Sequence, residues 1–478
     1  MRFVRSGLAA VAVTALLVAC GGGGGSDGAS FDLSKAPGSL ITQPVALTAL
    51  TPAAFQQAAP ASLFQVTGAP RCTVTFNYFQ YGTTGGRGEA TTASGGIMVP
   101  SGADPACQGP HPVLLYSHGT TSDKNKNMAS PQDGEAALVA AMYAAQGYIV
   151  VAPNYAGYEA STLSYHPYLN LQQQGQEMVD ALAAARKAFP AVAATDSKLL
   201  FLSGYSQGGF VSMAAQRALQ LAGITVTAGA HLSGPFALGT FGDAVYAGNV
   251  NVGATLFVPL LNTSFQRAYG DIYASPNDVY EANFATGIET LLPSTTPFDT
   301  LLAQGKLPAT AFFAADSLPQ PAGFELFFGT PNLIKTSFRN AVLADAAANP
   351  TAPQHPLRQA AFRNDLLRQD WTPTQPMLLC GGNADPTVFF SLNTMAAKAY
   401  FNSKNVPDPA VMVLDVDSVA SGPTDPFAAV KVGFATLKGN TFTAGGATAV
   451  LREYHGGLVP PFCNAAARAY FSQFAPPV

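Results

Sequence analysis

Short runs of uninterrupted apolar residues alternate along this chain with stretches whose apolar positions recur every three or four residues. Residues 71–80 (RCTVTFNYFQ) and 88–99 (GEATTASGGIMV) read as two strands around a turn over 82–88. Residues 112–117 form a short apolar run with the character of a buried strand. A helix is expected next, with Ser130 as N-cap, Pro131 at N1 and Asp133 at N3, running through Gln146 to a stop at Gly147. Residues 148–152 are a second buried strand, stopped by Pro153. Met178, Leu182, Ala185 and Phe189 then mark one face of a helix that Pro190 closes. Residues 199–203 are another strand, followed by a helix to about Ala222 and a strand over 224–230. Strands alternating with helices at this spacing make right-handed βαβ units around a parallel sheet. Because those strands are apolar throughout, both faces of the sheet must be covered. The expected class is α/β, with a mostly parallel central sheet and helices on both faces.

After Ser233-Gly234-Pro235 the alternation stops. Residues 238–370 show helical periodicity in pieces, with many prolines, and strand–helix alternation returns only at 376–380, 389–401 and 410–414. The simplest organisation is one core, 36–237 and 371–478, interrupted by a helical cap at 238–370. The cap holds 12 of the 31 phenylalanines. A helical subdomain needs its own core, which accounts for most of them, and an apolar lining over a site would use the rest.

Composition narrows the function classes. Hydrophobic residues are 48% of the 478 and charged ones 11%, against ~25% charge in an ordinary soluble protein. That excludes a disordered chain. A net charge of −4 without a basic run excludes a nucleic-acid partner. No internal run reaches the ~20 apolar residues of a membrane span. The N-terminus is an address instead: Arg2 and Arg5 precede an apolar run over 8–19, too short to cross a bilayer. Its end, Leu17-Val18-Ala19-Cys20, resembles the processing box of bacterial lipoproteins. The resemblance implies a signal at 1–19 and a diacylglycerol on Cys20, with 20–35 a glycine-rich tether. Gly21 after the cysteine implies sorting to the outer membrane of the cell envelope, with the lipid as the sole membrane attachment.

Four cysteines then remain, and an even number in an exported chain implies up to two disulfides. Cys72 lies in the first strand and Cys107 just after the second, so an antiparallel hairpin favours their pairing. Metal binding is disfavoured, because no two cysteines have CxxC-type spacing.

Gly204-Tyr205-Ser206-Gln207-Gly208 fits G-x-S-x-G between an expected strand and an expected helix. A serine on such a sharp turn needs small neighbours on both flanks. The turn presents its hydroxyl at the sheet edge and aims the helix N-terminus at developing negative charge. The serine needs a base, and there are six histidines: His111, His118, His166, His231, His355 and His455. In this strand–turn–helix setting the chain order is Ser, acid, His. Asp385, in the loop after 376–380, and His455, before the last helix, satisfy it. Asp415 and Asp417 compete for the acid role. His355 precedes Asp385 inside the insertion, His231 reads as a structural hydrogen-bonding group, and His118 as a support for its own loop. The oxyanion donors expected are the backbone N–H groups of Gln207 and of Thr120, in His118-Gly119-Thr120-Thr121. A Cys380–Cys463 bond would tie the acid loop to the histidine loop.

With these residues in place, the chain resembles the α/β-hydrolase family over about 70–237 and 371–470. His118-Gly119-Thr120, Ala152-Pro153-Asn154-Tyr155 and the elbow through Gly209 resemble secreted bacterial esterases and secretory lipases, a group that often has aspartate where this chain has Asn154. The resemblance implies hydrolysis of a carboxylic ester, small-molecule or lipid, through an acyl-enzyme on Ser206, without cofactor or metal. Two other readings use the same residues: a serine peptidase, and a surface lipoprotein that binds apolar ligands without chemistry. Oligomeric state is not encoded in any pattern here.

Overall fold

A computed structural model describes residues 36–58, 61–422 and 424–475. The signal at 1–19 and the whole tether at 20–35, Cys20 included, lie outside the described residues. Nine strands form one sheet in the order β1-β2-β3-β5-β4-β6-β7-β8-β9. They are β1 (Val45–Leu50), β2 (Thr73–Thr84), β3 (Ala90–Ser101), β4 (His111–Ser117), β5 (Ile149–Pro153), β6 (Asp196–Tyr205), β7 (Ala228–Leu232), β8 (Met377–Gly381) and β9 (Val411–Asp415). The first three run antiparallel to their neighbours, and β3 joins β5 antiparallel. From β5 across to β9 every pairing is parallel.

Side chains of a strand alternate between the two faces, and here both sets are buried. Val113, Leu115, Val151 and Leu202 pack into one apolar layer, and Leu114, Val150 and Phe201 into the other. Helices Leu171–Ala188 and Gln207–Leu221 cover the first face. Helices Gly134–Met142 and Val459–Phe471 cover the second. No helix among the described residues is long and apolar enough to cross a membrane.

Several boundaries differ from the expected ones for local reasons. The helix expected from Ser130 begins at Gly134, because Asp133 rather than Ser130 caps it, accepting from the N–H groups of Glu135 and Ala136. Lys126 holds that carboxylate at 2.9 Å. Gly147 does end the segment, at φ 100°, after a short 3-10 turn. The strand expected at 224–230 is Ala228–Leu232, since the turn at Gly223 (φ 70°) spends residues 224–227 on returning to the sheet. Unforeseen are edge strand β1 and a 26-residue helix, Ala428–Glu453, broken at Gly445 and Gly446.

Between β7 and β8 the chain leaves the sheet and forms helices Leu238–Tyr246, Ala254–Tyr269, Thr336–Ala348 and Pro356–Arg363, with shorter turns between them. Phe312, Phe313 and Phe328 pack on one another there, and the Arg339 guanidinium lies 4.0 Å above the Phe313 ring. These phenylalanines belong to the same buried cluster as Val113, Leu115 and Leu202 on the first face of the sheet. The two disulfides are Cys72–Cys107 and Cys380–Cys463, with Cα–Cα distances of 5.4 and 5.7 Å.

Candidate active site

β6 ends in a turn that is possible only with glycine on both flanks of Ser206. A Cβ at Gly204 would lie 2.3 Å from the Gly208 carbonyl oxygen, and one at Gly208 would lie 1.9 Å from that of Ser117. Ser206 itself sits at φ 60°, ψ −121°, a left-handed conformation that an L-residue adopts only when its surroundings impose it. The Ser206 N–H donates to Leu232 O at 2.9 Å, which ties the turn to β7. The serine therefore stands at the end of the sheet and at the N-terminus of helix Gln207–Leu221.

Two separate loops bring partners to it. Asp385, in the loop after β8, is 4% exposed. One of its carboxylate oxygens accepts the N–H groups of Thr387 and Val388, at 2.9 and 3.0 Å. The other lies 2.7 Å from Nδ1 of His455. A carboxylate only accepts, so Nδ1 carries the imidazole proton and Nε2 is left as an acceptor. That acceptor is 2.8 Å from Ser206 Oγ. His455 lies in a single π-helical turn, Tyr454–Leu458, and the Tyr205 hydroxyl donates to its carbonyl oxygen at 2.6 Å. The structure thus joins Ser206, His455 and Asp385 in one hydrogen-bonded chain.

The competing acids are engaged elsewhere. Asp415 accepts from the backbone and side chain of Asn383, and Asp417 from Tyr454 Oη and Lys438 Nζ. Tyr454 Oη also accepts the Ala384 N–H, so Asp417 braces the acid loop and the histidine turn together. His231 bonds to Ser212 and Gln216, and His355 packs against Phe338. The Cys380–Cys463 bond links the end of β8 to the helix following His455.

The loop after β4 lies against the elbow. A Cβ on Gly119 would be 3.3 Å from Tyr205 O and 3.7 Å from Ser206 Cβ. The Gly119 N–H is taken by Glu135, whereas the Thr120 N–H meets no acceptor among the described residues. Gln207 is the first residue of its helix, so its N–H has no acceptor within that helix. His118 lies beneath, between the carbonyl oxygens of Gly119 (2.7 Å) and Asn154 (3.1 Å). Burial lowers its pKa to about 3, so the neutral ring donates to one of them. Asn154 accepts the Met128 N–H and donates to Ser94 Oγ, bracing the end of β5.

From Ser206 and Gln207 a cleft enclosing about 880 Å³, its open mouth included, runs beneath the helices that follow β7. Phe241, Phe257, Val258 and Leu261 are among its walls. Its charged lining residues, Asp243 and Arg358, bond to each other through Nε and Nη2 of the guanidinium, at 2.7 and 2.9 Å. Two contributors escaped the sequence reading: Tyr205, which holds the His455 carbonyl, and Tyr168, in the cleft wall. Neither lies in a chemical motif of its own, so only proximity in the fold reveals them.

Comparison with known proteins agrees with this architecture. The prolyl oligopeptidase family matches residues 135–221, from helix Gly134–Met142 through the elbow helix. The rice cell wall degrading esterase LipA from Xanthomonas oryzae is similar over most of the chain. A point mutant of it is 26% identical with a TM-score of 0.70, covering 92% of this chain and 99% of that one. Its ligand-bound form is 28% identical with a TM-score of 0.66, covering 88% and 98%. A Legionella pneumophila structure, 19% identical over 91% of this chain and 97% of its own, shares the fold at a TM-score of 0.67. No curated protein sequence matches the chain significantly.

Proposed function

The chain is an α/β-hydrolase, and from that premise we propose that it cleaves neutral carboxylic esters through an acyl-enzyme on Ser206. Ser206 Oγ attacks the ester carbonyl while His455 Nε2 takes its proton. Asp385 stays ionised and stabilises the imidazolium that forms. The N–H groups of Thr120 and Gln207 receive the negative oxygen. His455 then protonates the departing alcohol, and water repeats the sequence on the acyl-enzyme to release the acid.

The observation that carries this reading is the hydrogen-bonded chain at the head of an apolar cleft. A cleft with apolar walls whose charges pair with each other suits a neutral acyl group. The esterase activity of the Xanthomonas oryzae relative supports the same choice. A peptidase is the second reading, favoured by the prolyl oligopeptidase match around the elbow. It lacks support from the cleft, which offers no unpaired charge to hold a peptide terminus. A binder without chemistry leaves the alignment of three polar side chains unexplained.

Hydrolysis of a p-nitrophenyl ester series of increasing acyl length, beside a proline-containing peptidyl p-nitroanilide, separates the two enzymatic readings. Expected are turnover of the esters, none of the anilide, and loss of ester turnover in Ser206→Ala. Anilide cleavage with inert esters would establish the peptidase instead. Two formed disulfides suit an oxidising, extracytoplasmic setting, and a diacylglycerol on Cys20 completes the proposal as the membrane anchor.

A further inference from the structure

The connection between β5 and helix Leu171–Ala188 touches both oxyanion residues. His166 is fully buried, with Nδ1 2.8 Å from Ala156 O and Nε2 2.7 Å from Nε2 of Gln207. A carbonyl only accepts, so Nδ1 holds the proton and Nε2 accepts an N–H of the Gln207 amide. Burial keeps the ring neutral, with its pKa lowered to about 3, so this pattern persists at working pH. Ala156 is fixed from its other side, where its N–H donates to Glu177 at 2.6 Å. Two residues beyond His166, the Tyr168 hydroxyl hydrogen-bonds Thr120 Oγ1 at 2.8 Å. Tyr158 donates to Thr121 O at 2.7 Å and Tyr155 to His118 O at 3.0 Å. The His166 ring packs against those of Tyr155 and Tyr158, at 5.6 and 4.7 Å between centroids.

Resting on the ester-hydrolase reading above, we propose that residues 155–168 are the template of the oxyanion hole, with His166 and Tyr168 as its positioning residues. His166 fixes the Gln207 side chain, which is buried beside the nucleophile, and Tyr168 fixes Thr120. Two N–H groups contributed by different elements are thereby aimed from one rigid strip of chain. Aim matters because a donor helps only if it meets the oxygen where negative charge develops.

The test compares kcat of the wild type, His166→Phe and Tyr168→Phe on a p-nitrophenyl ester and on its thionoester, in which sulfur replaces the carbonyl oxygen. Sulfur accepts N–H hydrogen bonds poorly, so a well-aimed hole favours the ester. Tyr168→Phe keeps the ring in the cleft wall and removes only the hydroxyl. Loss of one oxyanion donor costs about 10²–10³-fold in kcat, so misaiming one is expected to cost about 10–100-fold on the ester. The thionoester should lose far less, so the ester-to-thionoester ratio falls about tenfold or more, with KM within about threefold. If His166→Phe does not fold, Tyr168→Phe alone carries the test. Equal loss on both substrates, or no loss, overturns the proposal while leaving the ester reading intact. A wild type that turns over neither substrate overturns the ester reading, and this one with it.

Discussion

Asp385 divides its two oxygens between backbone and histidine, so its removal can be made nearly isosteric. In Asp385→Asn the amide oxygen can still accept from Thr387 and Val388, which leaves an NH₂ facing Nδ1 of His455. That reverses the imidazole tautomer, and kcat is expected to fall about 10³–10⁴-fold at nearly constant KM. Steady-state kinetics on a p-nitrophenyl ester measures it, and a loss under tenfold would move the acid role elsewhere. Glu177 gives a residue-scale pH effect. Burial, the largest influence, pushes its carboxyl from 4.5 up to about 7. Between those values the unfolded chain binds fewer protons than the native one, so stability falls as pH rises and levels off above about 7. Glu177→Gln should flatten that part of the curve in urea unfolding across pH 4.5–8, and an unaltered slope contradicts the assignment. Ser206, Asp385 and His455 were legible at this scale because chain order and flanking elements constrain them. Tyr168 was not, since its partner Thr120 is 48 residues away and only the fold makes them neighbours.

Among the elements, the buried strands β4 to β8 were the clearest in sequence, because burial on both faces demands unbroken apolar runs. Two elements were hidden for the opposite reason. Edge strand β1 leaves most of its side chains exposed or half-exposed, and in helix Ala428–Glu453 only Phe434 is buried. Neither carries the apolar periodicity that pattern reading needs. The misplaced start of helix Gly134–Met142 shows a tertiary partner choosing between two capping residues. Ser130 and Asp133 both suit an N-cap, but Asp133 also meets the buried ammonium of Lys126. Asp133→Ala removes the cap and one of the two carboxylates on Lys126, and should destabilise the protein by about 1–3 kcal/mol in urea unfolding. A change under about 0.3 kcal/mol would mean that the cap is replaceable by water.

For the whole molecule, an unusually apolar and weakly charged composition is accounted for without a membrane span among the described residues. The sheet buries both faces, the aromatic cluster of the region between β7 and β8 is continuous with the apolar layer on one of them, and a cleft with apolar walls runs from Ser206 beneath that region's helices. The Cys380–Cys463 bond joins the end of β8, which leads into the Asp385 loop, to the helix that follows His455. A Cys380→Ser/Cys463→Ser double variant should lose roughly 2–4 kcal/mol of stability and lower kcat more than it raises KM. Thermal unfolding with parallel kinetics reads both, and wild-type kcat at reduced Tm would confine the bond to stability. The claim on which the rest depends is that Ser206 is the nucleophile. Labelling with a fluorophosphonate, followed by peptide mass mapping and a residual ester assay, tests it most directly. The account predicts one adduct, on Ser206, with ester hydrolysis lost in proportion to labelling. No adduct, or an adduct on another residue that abolishes activity, would contradict it.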